Sequence, residues 1–323
     1  MKTVFKITIA ILIIISVLVL ASCTEDFASG GDFYSFTDSL GREVGLDEPP
    51  RHVAVLFSSY AEIWQIAGGV TAITVADTVE RGFADESAII VDGGAGHTSI
   101  NTEILLAAMP DFVIATADYP IQVEICELLA SQGIPTALFS VEKFEDYLGV
   151  LKIFTDILGT EEKYIEYGVS VKNRIDGYLD TVSSYLSENP DKKSDMLFIR
   201  AGSTPRSTKA KRANDHFACA MLEELGLYNI ADAAPVLLDG LSLEEIVMAN
   251  PEHLFVSMMG ENEEAVKKNV GEILSREGYS TLDAVVEGRV EFLPKELFHY
   301  KPNHRWADAY LYLIEILFSE VEI

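Results

Sequence analysis

Two segments far apart in this 323-residue chain carry one pattern. Asn101 to Ala115 and Ser242 to Val256 align through Pro110 and Pro251, which matches Glu103 with Glu244, Ala108 with Ala249 and Asp111 with Glu252. Each copy reads as a short helix opened by an acidic residue, stopped by a proline and followed by an apolar strand. A helix–stop–strand unit used twice predicts two similar α/β lobes with something held between them. Such joints are common in α/β proteins at large, so the sequence around the copies has to decide.

The N-terminus predicts the compartment. Lys2 and Lys6 precede an apolar run from Ile7 to Ala21, the charge and hydrophobicity of an export signal. The run is shorter than the roughly 20 residues a spanning helix needs. Residues 1–22 read as a signal peptide, and Cys23, directly after Leu20, Ala21 and Ser22, resembles the lipidated cysteine of bacterial lipoproteins. Acyl chains on Cys23 would be the chain's sole hold on the membrane. A polar, glycine-bearing tether over residues 23–33 follows. The folded part is expected outside the cytoplasmic membrane, held close to it.

A hydrophobic content of 49% supports substantial cores, and the roughly 300 residues left after the signal suggest two domains. A formal net charge of -27 argues against nucleic acid and against electrostatic adhesion to anionic lipid. Cys126 and Cys219 fall in apolar helical contexts and read as buried small hydrophobes. Whether they pair is open from sequence. Neither has the spacing of a structural zinc site.

Residues 34–159 read as the first lobe: a hairpin turning at Asp38 to Gly41, a strand from His52 to Phe57, a helix from Tyr60 to Ile66, and a continued β/α alternation through the strand Thr136 to Phe139. Such alternation predicts a largely parallel sheet covered by helices. Residues 160–190 then lack any stop before Asn189 and Pro190. Thr160 is a plausible N-cap, Glu161 and Glu162 suit the first turn, and Tyr164, Gly168, Val171, Ile175, Tyr178, Val182 and Tyr185 fall on one helix face. This helix would be roughly 40 Å long and would connect the first lobe to a second, residues 191–323.

Exported signal, paired lobes, bridging helix and twin joints together resemble the helical-backbone substrate-binding proteins of ABC importers, the group that captures ferric siderophores, haem and cobalamin. Ser59 to Gly68 is similar to the family's opening helix, and the two joints are similar to its signatures. The resemblance implies an α/β fold of two Rossmann-like lobes joined by one long helix, with the ligand in the cleft between them. It implies no enzyme activity, no intrinsic cofactor, a bound metal chelate, and an ABC permease and ATPase as partners. It also implies that one exposed glutamate per lobe, at Glu62 and Glu244, docks onto permease arginines through charge-assisted pairs.

Ligands of open α/β sheets bind beyond the C-terminal ends of the strands. On the first lobe the candidates are Ser59 and Tyr60, Arg81, His97 and Tyr119. A neutral imidazole at His97 can ligate haem iron or cobalt, or simply hydrogen-bond a ligand. On the second lobe a basic stretch from Arg200 to Arg212 offers Arg206 and Lys209, and Phe298 to Arg305 offers Tyr300 and Arg305. Basic side chains and tyrosines suit a large anionic ligand, which favours a ferric siderophore over haem or a corrinoid. A two-lobed metallo-enzyme is the second class to keep, with His97, His216, His299 and His304 as its raw material. Against it, the chain has no His-Glu-x-x-His, Gly-x-Ser-x-Gly or Walker loop.

Overall fold

The computed structural model describes residues 33–93, 99–192, 194–233, 243–260 and 262–321. The signal segment, Cys23 and His97 lie outside them. Strands β1 (Tyr34–Thr37) and β2 (Glu43–Leu46) form an antiparallel hairpin. Its turn is built on Asp38, whose carboxylate accepts the amides of Leu40 and Arg42 and pairs with the Arg42 guanidinium at 2.6 Å. The same carboxylate accepts the Leu138 amide at 3.1 Å. A strand edge that would otherwise expose unpaired amides is thereby covered.

The first half continues as β3 (Val53–Val55), α1 (Ser58–Ile66), β4 (Ile73–Thr74), α2 (Ala76–Glu80), β5 (Ile89–Ile90), α3 (Thr102–Ala107), β6 (Phe112–Thr116), α4 (Pro120–Ser131), β7 (Thr136–Phe139) and α5 (Phe144–Leu158). The strands form a wholly parallel sheet in the order β5-β4-β3-β6-β7. Helix α5 has no counterpart in the sequence reading. Phe144, Tyr147, Val150, Leu151, Phe154 and Ile157 give it a buried face at helical spacing, and Asp146 accepts the amides of Glu142 and Lys143 at 2.9 Å to start it.

A long helical run follows: α6 (Glu161–Tyr164), a π-helical turn (Ile165–Val169) and α7 (Ser170–Glu188). The sequence reading has this run as uninterrupted, and the π turn is the departure. Gly168 lies so close to α5 that a Cβ there would meet Leu148 at 3.0 Å. The Tyr167 carbonyl accepts the Tyr147 hydroxyl at 3.0 Å. The wider turn frees carbonyls of the α-helical ladder, and side chains take them up.

The second half has β8 (Asp195–Ala201), β9 (Lys209–Lys211), α8 (Phe217–Glu224), β10 (Tyr228–Asn229), α9 (Leu243–Ala249), β11 (His253–Met258), α10 (Glu263–Leu274), α11 (Asp283–Val286), β12 (Val290–Leu293), α12 (Lys295–Phe298) and α13 (Trp306–Leu317). Its sheet runs β10-β8-β11-β12 in parallel, and β9 folds back antiparallel on β8. The fold is thus α/β, with two separate parallel sheets and a long helix between them in the chain.

The two repeat copies occupy matched places. Strand β6 lies between β3 and β7, and β11 between β8 and β12. Met109 and Asn250, each just before the shared proline, both adopt a left-handed backbone, at φ 50° and 45°. One buried apolar cluster nevertheless crosses the molecule, from Phe36 through α5 and α7 to Phe318. Within it Trp306 packs on Phe144 of the first half and Phe217 of the second, ring centroids 6.2 and 5.4 Å apart.

Candidate ligand-binding cleft

In a parallel sheet, two neighbouring strands whose connections leave in opposite directions open a crevice at their C-terminal ends. Here those pairs are β3/β6 and β8/β11. The segments after them line one cavity of about 510 Å³. Ser58, Ser59 and Phe57 follow β3, Asp118 and Tyr119 follow β6, Arg200 stands near the end of β8, and His299, Tyr300 and Lys301 come after β12. Asp77, Arg81, Glu142, Asp215, His216 and Phe217 complete the lining.

Of the residues expected from sequence, the structure brings Ser59, Arg81, Tyr119 and Tyr300 together in this cavity. Tyr60 does not line it. Helix α1 begins at Ser58, two residues earlier than read, which turns Tyr60 and Trp64 inward together. Tyr60 is 1% exposed, donates to the Phe139 carbonyl at 2.7 Å and packs on the Phe139 ring, so it is a core residue. Arg206 is exposed on a single turn (Pro205–Ser207), and Lys209 opens β9. The antiparallel return of β9 carries both out of the cavity lining. Arg305 precedes α13 and reaches Asp308 at 3.4 Å instead. Glu62, expected on the surface, is buried: Asn303 donates to it at 2.8 Å, and Arg81 and His304 stand at 3.9 and 3.5 Å. Glu244 is exposed in the first turn of α9.

The cavity's acids are already partnered. Glu142 meets Lys301 at 3.0 Å, Asp215 meets Arg212 at 3.0 Å, Asp118 accepts from Ser140 at 2.7 Å, and Asp77 accepts from Ser58. Arg200 is different: among the described residues its guanidinium makes no hydrogen bond or ion pair. Arg81 lies between two carboxylates at 3.8 and 3.9 Å, with its guanidinium over the rings of Tyr300 at 4.1 Å and Phe83 at 4.8 Å. Among the described residues none of its side-chain N–H groups is in a hydrogen bond. Two guanidinium groups with unused donors therefore line one cavity, the chemistry of an anion site. Arg200 was within the basic stretch the sequence offered; its place at a strand end was the signal that separates it from Arg206.

Two imidazoles share the lining. Burial, with Lys301 and Arg200 nearby, pushes His216 down to about 3. Burial, with Arg200 and Lys295 nearby, pushes His299 down to about 4. Both rings are neutral at ordinary pH. His216 Nδ1 accepts the Ala218 amide at 3.2 Å, which leaves the ring proton on Nε2. Among the described residues no group of three or more His, Cys, Asp or Glu side chains is placed to hold a metal ion. No described helix is long and apolar enough to cross a membrane.

Residues 53–297 match the sequence model of a family described as periplasmic binding protein. No curated protein matches the sequence. Among solved structures, Staphylococcus aureus SirA complexed with staphyloferrin B is similar over 90% of this chain and 99% of its own, with 16% identity and a TM-score of 0.67. The catecholate-siderophore binding protein VctP from Vibrio cholerae is similar over 88% and 99%, at 14% identity and 0.64. The heme-binding protein RhuT from Roseiflexus sp. RS-1 is similar over 84% and 99%, at 15% identity and 0.64.

Proposed function

We propose, because this chain belongs to the periplasmic binding protein family, that it is the lipid-anchored receptor of an ABC importer for an anionic ferric siderophore. The family consists of ABC-transporter substrate-binding proteins rather than enzymes, so its partners are a small ligand and a permease. The choice of ligand class rests on one observation above all. The Arg200 guanidinium, at a topological switch point, has no hydrogen bond or ion pair among the described residues, while the acids around it have theirs. The likeness to SirA complexed with staphyloferrin B and to the catecholate-siderophore binding protein VctP supports that choice; the heme-binding relative keeps haem as the alternative.

The test is calorimetric titration of the chain from Asp26 onward with ferric siderophores, haemin and cobalamin. Tight binding of a ferric siderophore alone is expected, and Arg200→Ala should weaken it by about 10- to 100-fold, the value of one or two charge-assisted hydrogen bonds. Binding of haemin or cobalamin alone, or an Arg200→Ala variant of wild-type affinity, sinks the reading.

Anchoring is assigned to Cys23 and docking to the repeat. Burial removes Glu62 from the docking role, and Glu103 takes its place: it is the repeat partner of Glu244, and both are exposed in first turns. Exposed Ile104 and Met109 flank one, Val247 and Met248 the other. Uptake of the ferric complex by whole cells checks both parts, since Cys23→Ser and Glu103→Arg with Glu244→Arg should each abolish it while leaving titrated affinity intact.

A further inference from the structure

Glu62 is left without a surface role, and its surroundings indicate another. It sits on α1 of the first half, yet its hydrogen-bond donor comes from the second. Asn303 Nδ2 donates to Glu62 Oε2 at 2.8 Å and to the Ser59 carbonyl at 3.0 Å. Asn303 is fully buried and holds a left-handed backbone at φ 49°. Asparagine adopts that conformation more readily than other side chains do, so both backbone and side chain at this position serve the crossing. His304 Nδ1 lies 3.5 Å from Glu62 Oε1, and the His304 ring meets Tyr167 of the π turn edge-on at 5.8 Å. The connecting run therefore touches the same cluster.

The cluster also reaches the cleft. Arg81 stands 3.9 Å from Glu62 and is covered by Tyr300. Residues 299–305 carry His299, Tyr300 and Lys301, three members of the cavity lining, and Asn303 pins that segment to α1. A buried carboxylate is costly unless paired, and here its partners come from both halves. Parting the halves at this point would take Asn303 and His304 away from the carboxylate and leave it only Arg81.

We propose that Glu62 is a positioning residue that ties the two halves together. It holds Asn303 by a hydrogen bond and Arg81 by charge. In doing so it sets the width of the cleft and the place of Arg81 within it. The consequence for binding rests on the cleft reading above, but the tie itself is testable in the ligand-free protein.

The experiment is amide hydrogen exchange, read by mass spectrometry on the full chain without ligand. Glu62→Ala should speed exchange over residues 299–305 by about 10-fold or more, with the sheet strands Phe112–Thr116 and His253–Met258 unchanged. Glu62→Gln, which keeps an acceptor for Asn303, should restore most of the protection. Asn303→Gly, which tolerates the left-handed backbone but loses the bonds to both Glu62 and the Ser59 carbonyl, should speed exchange at least as much as Glu62→Ala, and the double variant should add nothing to Asn303→Gly. Wild-type exchange at 299–305 in Glu62→Ala overturns the tie. So does acceleration shared equally by the sheet strands, which would mean general loosening. Neither result bears on which ligand binds, so the two readings fail separately.

Discussion

The first half presents Asp77, Asp118 and Glu142 to the cavity beside Arg81, whereas the second presents Arg200, Lys301, His216 and His299 beside Asp215. Their backbones are far more alike than their side chains: matched central strands, matched switch points, and a left-handed residue before the same proline. The scaffold determines where a ligand sits, and the strand-end segments determine what it is. The halves also differ in independence. Each has its own outer cluster, around Leu254 in one and Val113 in the other, but the inner cluster is common property.

Trp306 is the place to break that shared core. It is 1% exposed and packs on a phenylalanine from each half. Trp306→Ala should cost about 3–5 kcal/mol of stability in denaturant unfolding, within one cooperative transition. Two transitions in scanning calorimetry, with only one displaced, would show the halves to be separate domains.

Acid should reveal the chemical asymmetry. Burial is the leading cause that lowers His216 to about 3 and His253 and His299 to about 4, and all three lie in the second half. Their folded values lie below the unfolded value of about 6.5. The stabilisation is therefore complete above pH 6.5 and is lost as pH falls toward 4, where the unfolded chain takes up protons that the folded one refuses. A loss on the order of 3 kcal/mol between pH 7 and pH 4 is expected from His216, the most deeply buried of the three, and less from each of the other two. Glu223, raised to about 7 by burial and Asp232, works in the opposite sense and offsets part of it. Hydrogen exchange at pH 4.5 should loosen β11 before β6; equal loosening would remove the asymmetry.

The sequence patterns account for the scaffold better than for the cleft. The joints, the connecting run and most strands announce themselves through proline stops and periodicity, because these are local constraints on the backbone. Helix α5 was just as periodic and was missed; its apolar face needed only to be counted. Tyr60 and Glu62 are another matter. A two-residue shift in where α1 begins turns Tyr60 into the core, and the burial of Glu62 depends on Asn303, far away in the chain. Arg200 and Arg206 looked interchangeable within one basic stretch until the return of β9 separated them. Side-chain direction at a helix start or strand end is a tertiary fact.

The smallest effect comes from the joints themselves, where sequence and backbone disagree. Both copies require a left-handed residue before proline, but one has methionine and the other asparagine. Left-handed backbone costs an ordinary L-residue about 1–2 kcal/mol, and asparagine tolerates it best after glycine. Asn250 adds two bonds to the start of α11: it donates to the Asp283 carboxylate at 2.7 Å and accepts the Asp283 amide at 3.0 Å. Met109 is 76% exposed, so its side chain has little packing to lose. Asn250→Met should therefore destabilise by about 1–2 kcal/mol, while Met109→Asn should stabilise by about 0.5–1 kcal/mol, both read from denaturant midpoints. The opposite signs are the content of the prediction, since equal losses at both sites would mean that each residue is fitted to its own half. A Met109→Asn variant that gains stability but loses uptake would mark the exposed methionine as part of the docking face, kept there despite its backbone strain.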